Sequence, residues 1–280
     1  MKTSNWFYAV GIAGLGIQQF IHTDFRPVIL PPSWPHWLHA WNIWAFISGA
    51  ALIITAIMLV IGKKRKTGAL LLALFFLAMF VVFQVPYLLF VSPYSPRHLG
   101  LWTDPLKELA LSGGALILAS SFWKKRTSGL DPDAPLRNGL MTVGRIFFSV
   151  MLIAFGMDHL YYTKTVADLI PGWIPGHYFW TYFAAIALIG SGVCILLKIR
   201  IALVSLLAGL MLLLWIILLH IPRAIMFPTL AQGNEITSVF EALAFSGTAI
   251  MLYVEYSAWT PSENHKTGLG EKKPTPPPSS

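Results

Sequence analysis

The stretch IALVSLLAGLMLLLWIILLHI, Ile201 to Ile221, holds no Asp, Glu, Lys or Arg. As a helix rising 1.5 Å per residue it is about 30 Å long, enough to cross the hydrocarbon layer of a bilayer. Continuous apolar runs of this kind argue against a membrane β-barrel, whose strands are short and alternate in polarity. The run ends in His220-Ile221-Pro222, and Gln84-Val85-Pro86 stands 136 residues earlier at the end of a second apolar run. Further recurrences flank this pair. Gly16, Pro31 and Pro35 return as Gly156, Pro171 and Pro175, shifted by 140, and Leu109-Ala110-Leu111-Ser112-Gly113 returns as Leu243-Ala244-Phe245-Ser246-Gly247, shifted by 134. The offset shrinks in two steps, as small loop deletions in a repeat would make it, so the chain reads as two copies of one unit.

Hydrophobic residues make up 56% of the 280 positions and charged residues only 11%, against about 25% charged in a soluble domain. Too little charge is present to cover a soluble surface, which leaves a polytopic helical membrane protein in contact with the lipid bilayer. The net charge of +8 would point to nucleic acid in a soluble chain. Here the basic residues sit in short clusters between apolar runs, so topology accounts for them and nucleic acid is not expected as a partner. The lone Cys194 lies within an apolar run and has no intrachain thiol partner, which makes it a packing residue.

Eight spans are expected, near residues 5–22, 39–61, 67–91, 104–123, 144–163, 178–197, 201–221 and 236–256. The predicted fold is therefore all-α, with eight transmembrane helices forming two parallel four-helix bundle repeats. Its parts are a first repeat over 1–123, a cytoplasmic linker over 124–143, a second repeat over 144–256 and a disordered cytoplasmic tail over 257–280. The N-terminal apolar stretch lacks a small-residue cleavage site and matches the start of the second copy, so it reads as a retained helix. Fifteen of the twenty basic residues fall on one side of this topology, among them Lys63, Lys64, Arg65, Lys66, Lys124, Lys125 and Arg126; Arg26, Arg97, Lys107, Lys164 and Arg223 fall on the other. This asymmetry places both termini in the cytoplasm.

Polar residues gather toward the outer side. Asp158 and His159 lie about 20 Å along the fifth span, His220 ends the seventh, Arg223 follows it, and Glu241 is a turn and a half into the eighth. Ionisable groups at such depth are expected to face the bundle interior, pair with one another or line a wet cavity. The first copy carries Gln18, Gln19, Gln84, Tyr87 and Lys107 at the matching places, so one active centre would belong to the second half. Asp158, His159, His220 and Glu241 are the candidate catalytic groups. Arg223, Trp173 and Trp180 are candidates for holding substrate. Interhelical clamp, ligand site and proton relay all fit this list, and the tryptophans fit an interfacial aromatic belt as well. The histidines show no haem or metal spacing, and no Walker loop, dinucleotide fingerprint, His-Glu-x-x-His or Cys-x-x-Cys is present.

The segment from Gly144-Arg145 through Gly156-Met157-Asp158-His159 and Leu169-Ile170-Pro171-Gly172-Trp173-Ile174-Pro175-Gly176 resembles a DoxX-like membrane protein. The resemblance continues through His220-Ile221-Pro222-Arg223 and Glu241-Ala242-Leu243-Ala244-Phe245-Ser246-Gly247, and covers residues 144–256. It implies a four-helix unit, here duplicated, and relatives that serve quinone-linked redox processes or partner other subunits. A quinone is the cofactor class this brings into view, with His159 or His220 exchanging protons, Asp158 or Glu241 orienting the histidine and Arg223 holding an anionic substrate. A non-catalytic scaffold that docks a protein partner and a small-solute transporter are the alternatives.

Overall fold

A computed structural model describes residues 3–32, 34–61, 64–123 and 131–257. Among these, every regular element is helical: α1 (Thr3–His22), α2 (His36–His39), α3 (Ile43–Ile61), α4 (Arg65–Met79), α5 (Thr103–Ser121), α6 (Ala134–Tyr161), α7 (Thr163–Leu169), α8 (His177–Leu196), α9 (Ile201–Trp215), α10 (Ile221–Met226) and α11 (Asn234–Ser257). Residues 124–130 of the expected linker and residues 258–280 of the expected tail lie outside the described residues. The remainder of the linker is largely helical, because α6 starts at Ala134 with Pro135 in its first turn, where a missing N–H costs nothing.

Among the described residues six helical segments, not eight, are long and apolar enough to cross a membrane: Ile43–Ile61, Arg65–Val91, Ala134–Tyr161, His177–Leu196, Ile201–Met226 and Asn234–Ser257. By length and composition this is a helical membrane protein. The expectation of eight transmembrane helices fails at α1 and α5. Asn5, Gln18 and Gln19 break the hydropathy of α1, and Asp104, Lys107 and Glu108 that of α5. Helix α5 is packed into protein, which relieves it of the need for an apolar surface, whereas α1 buries its polar side chains and keeps Trp6, Val10, Ile17, Phe20 and Ile21 exposed. On α5 every residue from Pro105 to Ala115 is buried. On α9, by contrast, Leu203, Leu207, Leu210 and Leu214 form one exposed apolar face, suited to lipid.

The arrangement of two separate four-helix bundles also gives way. The long helices form one continuous assembly in which α1 packs on α3 and α11, α5 on α4 and α6, α6 on α8, and α9 on α11, while α5 and α11 touch across the middle. The fourth long helix of each sequence copy thus leans on the first of the other. Small residues permit the close crossings, as is usual for helices packed without a strong hydrophobic drive between them. A Cβ on Gly113 of α5 would lie 2.7 Å from the Gly144 carbonyl of α6. Ser112 donates to the Ala73 carbonyl, and Ser246 to the Gly209 carbonyl, each at 2.9 Å, tying α5 to α4 and α11 to α9.

Two helices are interrupted in the same manner. After α4 and after α9 the backbone widens into π-helical turns at Phe80–Gln84 and Ile216–His220, closed by Val85 N–H to Phe80 O and by Ile221 N–H to Ile216 O. Pro86 and Pro222 follow immediately. Proline offers no N–H to the carbonyl four residues back, so the ladder is re-satisfied by a wider turn rather than broken.

Candidate functional site

The C-terminal part of α6, α7, the end of α9 with the π-helical turn before α10, and the N-terminal parts of α5, α8 and α11 surround a cavity of about 440 Å³, within the range of ordinary small-molecule sites. Its walls are mainly apolar, with Met151, Leu152, Phe155, Leu188, Met211 and Phe245 among them. Asp158, His159, His220, Glu241, Lys107 and Trp180 meet at the same cavity.

Each polar group is held by its own element. On α6, His159 lies one turn after Phe155 and places Nδ1 2.7 Å from that residue's carbonyl oxygen. A carbonyl only accepts, so Nδ1 carries the proton and Nε2 of the neutral ring is an acceptor. His220 closes the π-helical turn, whose widening sets its angle relative to α9. Glu241 is 2% exposed, and its Oε2 lies 3.0 Å from Lys107 Nζ. Lys107 also reaches Asp104 Oδ1 at 3.1 Å, so one ammonium bridges two carboxylates across the α5–α11 contact. Two ionised groups so far from water are stable only as a pair, and the second carboxylate adds to that compensation. On α8 the Trp180 indole donates to Pro175 O at 3.1 Å and packs edge-on to Trp215, ring centroids 5.9 Å apart.

Three of the lining residues each carry a buried side-chain atom with no hydrogen bond within the protein: Asp158 Oδ1, Glu241 Oε1 and Trp215 Nε1. Buried polar groups are satisfied in the great majority of cases, so these three, on α6, α11 and α9, are exceptions, and each is covered by protein.

Other sequence candidates lie elsewhere. Arg223 forms a two-pronged pair with Glu235, with Nε 2.9 Å from Oε2 and Nη2 on Oε1, and its Nη1 donates to Leu169 O at 3.1 Å. Its charge is spent tying α10 to the start of α11 and to the end of α7, so that it braces Leu169 of the cavity lining without being part of the lining itself. Trp173 is 62% exposed and is not part of the cavity wall. In the first half, Gln18 accepts from Thr237 at 2.7 Å and Gln84 donates to Pro27 O at 2.9 Å. Gln19 is fully buried, and Tyr87 packs near Trp34, ring centroids 5.9 Å apart. None of the four lines the cavity; Lys107 alone of the first-half candidates does.

Sequence reasoning missed Thr103, Tyr162 and Trp215 as cavity residues. Tyr162 was within reach of it, being four residues after Asp158 and so on the same helical face. Trp215 carries the one side-chain N–H in the run from Ile201 to Leu219.

No family model, curated protein or solved structure matches the chain. Fold and cavity define a class, a helical membrane protein enclosing an amphipathic cavity, and the resemblance to DoxX-like proteins rests on the sequence motifs alone.

Proposed function

We propose that this is a DoxX-like protein of the cytoplasmic membrane with both termini inside, acting as the quinone-binding and proton-exchanging component of a redox process. The observation that carries this reading is the gathering of Asp158, His159, His220 and the Lys107–Glu241 pair at one end of a single apolar-walled cavity. A quinone needs an apolar slot for its body and hydrogen-bonding groups at its oxygens, and Lys107, Asp158, His159 and His220 among the lining residues fit that need. A bound quinone would supply the electron-carrying chemistry; electrons enter or leave through a separate redox-active subunit. The chain's own groups do the rest. Met151, Leu152, Leu188, Met211 and Phe245 exclude water around the body, His159 Nε2 and His220 accept or return protons, and the Lys107–Glu241 pair fixes the charge at the polar end. The repeat in the sequence supplies Lys107 and Glu241 from matching positions of the two copies.

Binding of a short-chain quinone analogue to the purified protein tests the reading, followed by quenching of tryptophan fluorescence. The double variant His159→Gln/His220→Gln should bind the analogue at least about tenfold more weakly. Unchanged binding in that variant would sink the proposal. A small-solute transporter is the second reading, favoured by the paired π-helical interruptions before Pro86 and Pro222, since broken helices are where transporters bind and flex. Solute counterflow in proteoliposomes separates the two.

A further inference from the structure

We infer that the cavity is a head-and-tail site: the ligand's ring lies at the end marked by His159 and Tyr162, and its hydrocarbon chain runs toward the bilayer centre and leaves into lipid through the seam between α8 and α9. This rests on the quinone reading above and adds to it the orientation of the ligand and its route to the membrane. Polarity is sorted along the cavity. At one end stand Tyr162 and Thr165, both exposed, and the Tyr162 hydroxyl accepts from the Gly100 N–H at 3.3 Å. At the other end are Met151, Leu188, Met211 and Phe245, whose side chains carry no N–H or O–H. Residue counts fix the depth of that second end. Leu188 follows the first residue of α8 by eleven positions, Phe245 follows that of α11 by eleven, and Met151 precedes the last of α6 by ten. Each distance is about 15–17 Å, half of a hydrocarbon layer about 30 Å thick, so three helices place the inner end near the bilayer centre.

This inner end meets lipid at a seam. Helix α8 is locked to α6, where a Cβ on Gly192 would lie 2.8 Å from the Ser149 carbonyl and one on Gly156 2.7 Å from the Ala185 carbonyl. Helix α9 is locked to α11 through Ser246 and Gly209. The cavity thus lies between two close-packed pairs, which part where α8 faces α9. Among the described residues no hydrogen bond ties α8 to α9, and they meet edge-on at Trp180 and Trp215. One turn inward of that ring pair, Met211 and Leu212 line the cavity and are only half-buried. Beside them on α9, Leu207, Leu210 and Leu214 are exposed on the lipid-facing side. The apolar wall of the cavity is therefore continuous with the lipid-facing surface at this seam. A hydrocarbon chain placed there loses no hydrogen bond, whereas a ring placed there would leave its oxygens without partners.

The test uses a ubiquinone analogue whose decyl chain ends in a diazirine, photolysed with the full-length protein in nanodiscs and followed by peptide mass spectrometry. The expected result is adducts on Leu188, Met211 or Leu212. An about tenfold excess of unlabelled decylubiquinone should reduce them about tenfold, as mass action requires of one shared site. Adducts made from the lipid phase, on Leu207 or Leu214, should not respond to the competitor. Competed adducts at Tyr162 or Thr165, or confined to α6, α7 and α11, overturn this inference while leaving the quinone reading in place. If no adduct anywhere responds to decylubiquinone, the quinone reading itself fails.

Discussion

Replacing Lys107 by Met should be among the most damaging single changes in the chain. Glu241 is 3% exposed at its side chain and Lys107 11%, with Nζ and Oε2 3.0 Å apart. Removing the ammonium leaves a buried carboxylate whose other oxygen already lacks a partner, and breaking such a pair costs about 3–5 kcal/mol. Glu241→Gln alone should be milder, about 1–2 kcal/mol, because Lys107 keeps Asp104 at 3.1 Å on a side chain that is 35% exposed. In Lys107→Met/Glu241→Gln the only carboxylate left without its lysine is Asp104, whose side chain is 35% exposed, so the double variant should be more stable than Lys107→Met despite carrying one more substitution. The coupling between the two sites is then at least about 2 kcal/mol. Thermal unfolding in mild detergent reads this out. At about 2–4 °C per kcal/mol, Lys107→Met should lower Tm by about 6–20 °C and the second substitution should recover much of the loss. Additive effects of the two substitutions, or a Tm for Lys107→Met within about 2 °C of the parent, would refute the claim that these charges depend on each other.

Other consequences can be measured independently. Gly113→Ala should destabilise by about 1–3 kcal/mol, because the added Cβ would sit 2.7 Å from Gly144 O; Gly139→Ala, with nothing within 4 Å, should be neutral or stabilising in the same unfolding assay. Arg145 donates from Nη1 to both Ile195 O and Leu196 O, capping the C-terminus of α8, so Arg145→Met should cost about 2 kcal/mol and raise hydrogen exchange in the last turn of α8. Burial, helped by the nearby Arg26 charge, moves the His22 imidazole below its ordinary value. The folded state thus favours the neutral ring. The stability this contributes is complete above about pH 6.5 and is lost as pH falls toward the depressed folded value. An NMR titration of His22 with a midpoint at or above the ordinary value would contradict this.

The membrane character was legible from composition, and six of the eight expected spans correspond to helices that meet the length and hydropathy of a crossing. The two that do not, α1 and α5, misled because their Ala, Gly and Leu content reads as apolar. Protein neighbours are what the surface of α5 faces and what covers the polar face of α1, so that polar side chains such as Gln19 and Glu108 are buried there, while Trp6, Val10, Ile17, Phe20 and Ile21 of α1 stay exposed. Asp158, His159, His220 and Glu241 were readable as a group because depth along a helix follows directly from residue count. Lys107 was readable as the counterpart of Glu241 but not as its partner. Matching positions in two separate bundles would lie far apart, and only the contact between α5 and α11 brings them together. Arg223 misled for a different reason: Glu235, which neutralises it, lies twelve residues further on, in a segment with no apolar pattern to fix its position.

The packing of α1 against α11 has a consequence for how the chain is made. Gln18 accepts its hydrogen bond from Thr237, 219 residues further along. At synthesis rates of about 5–20 residues per second, α1 waits about 10–45 s after its own synthesis for the helix that completes its packing. During that interval Gln18 and Gln19 must be sheltered by something other than their final neighbours. The N-terminal helix is therefore the part of this molecule most exposed to premature pairing or to quality-control proteases, and a chain stalled before α11 would present it unpartnered.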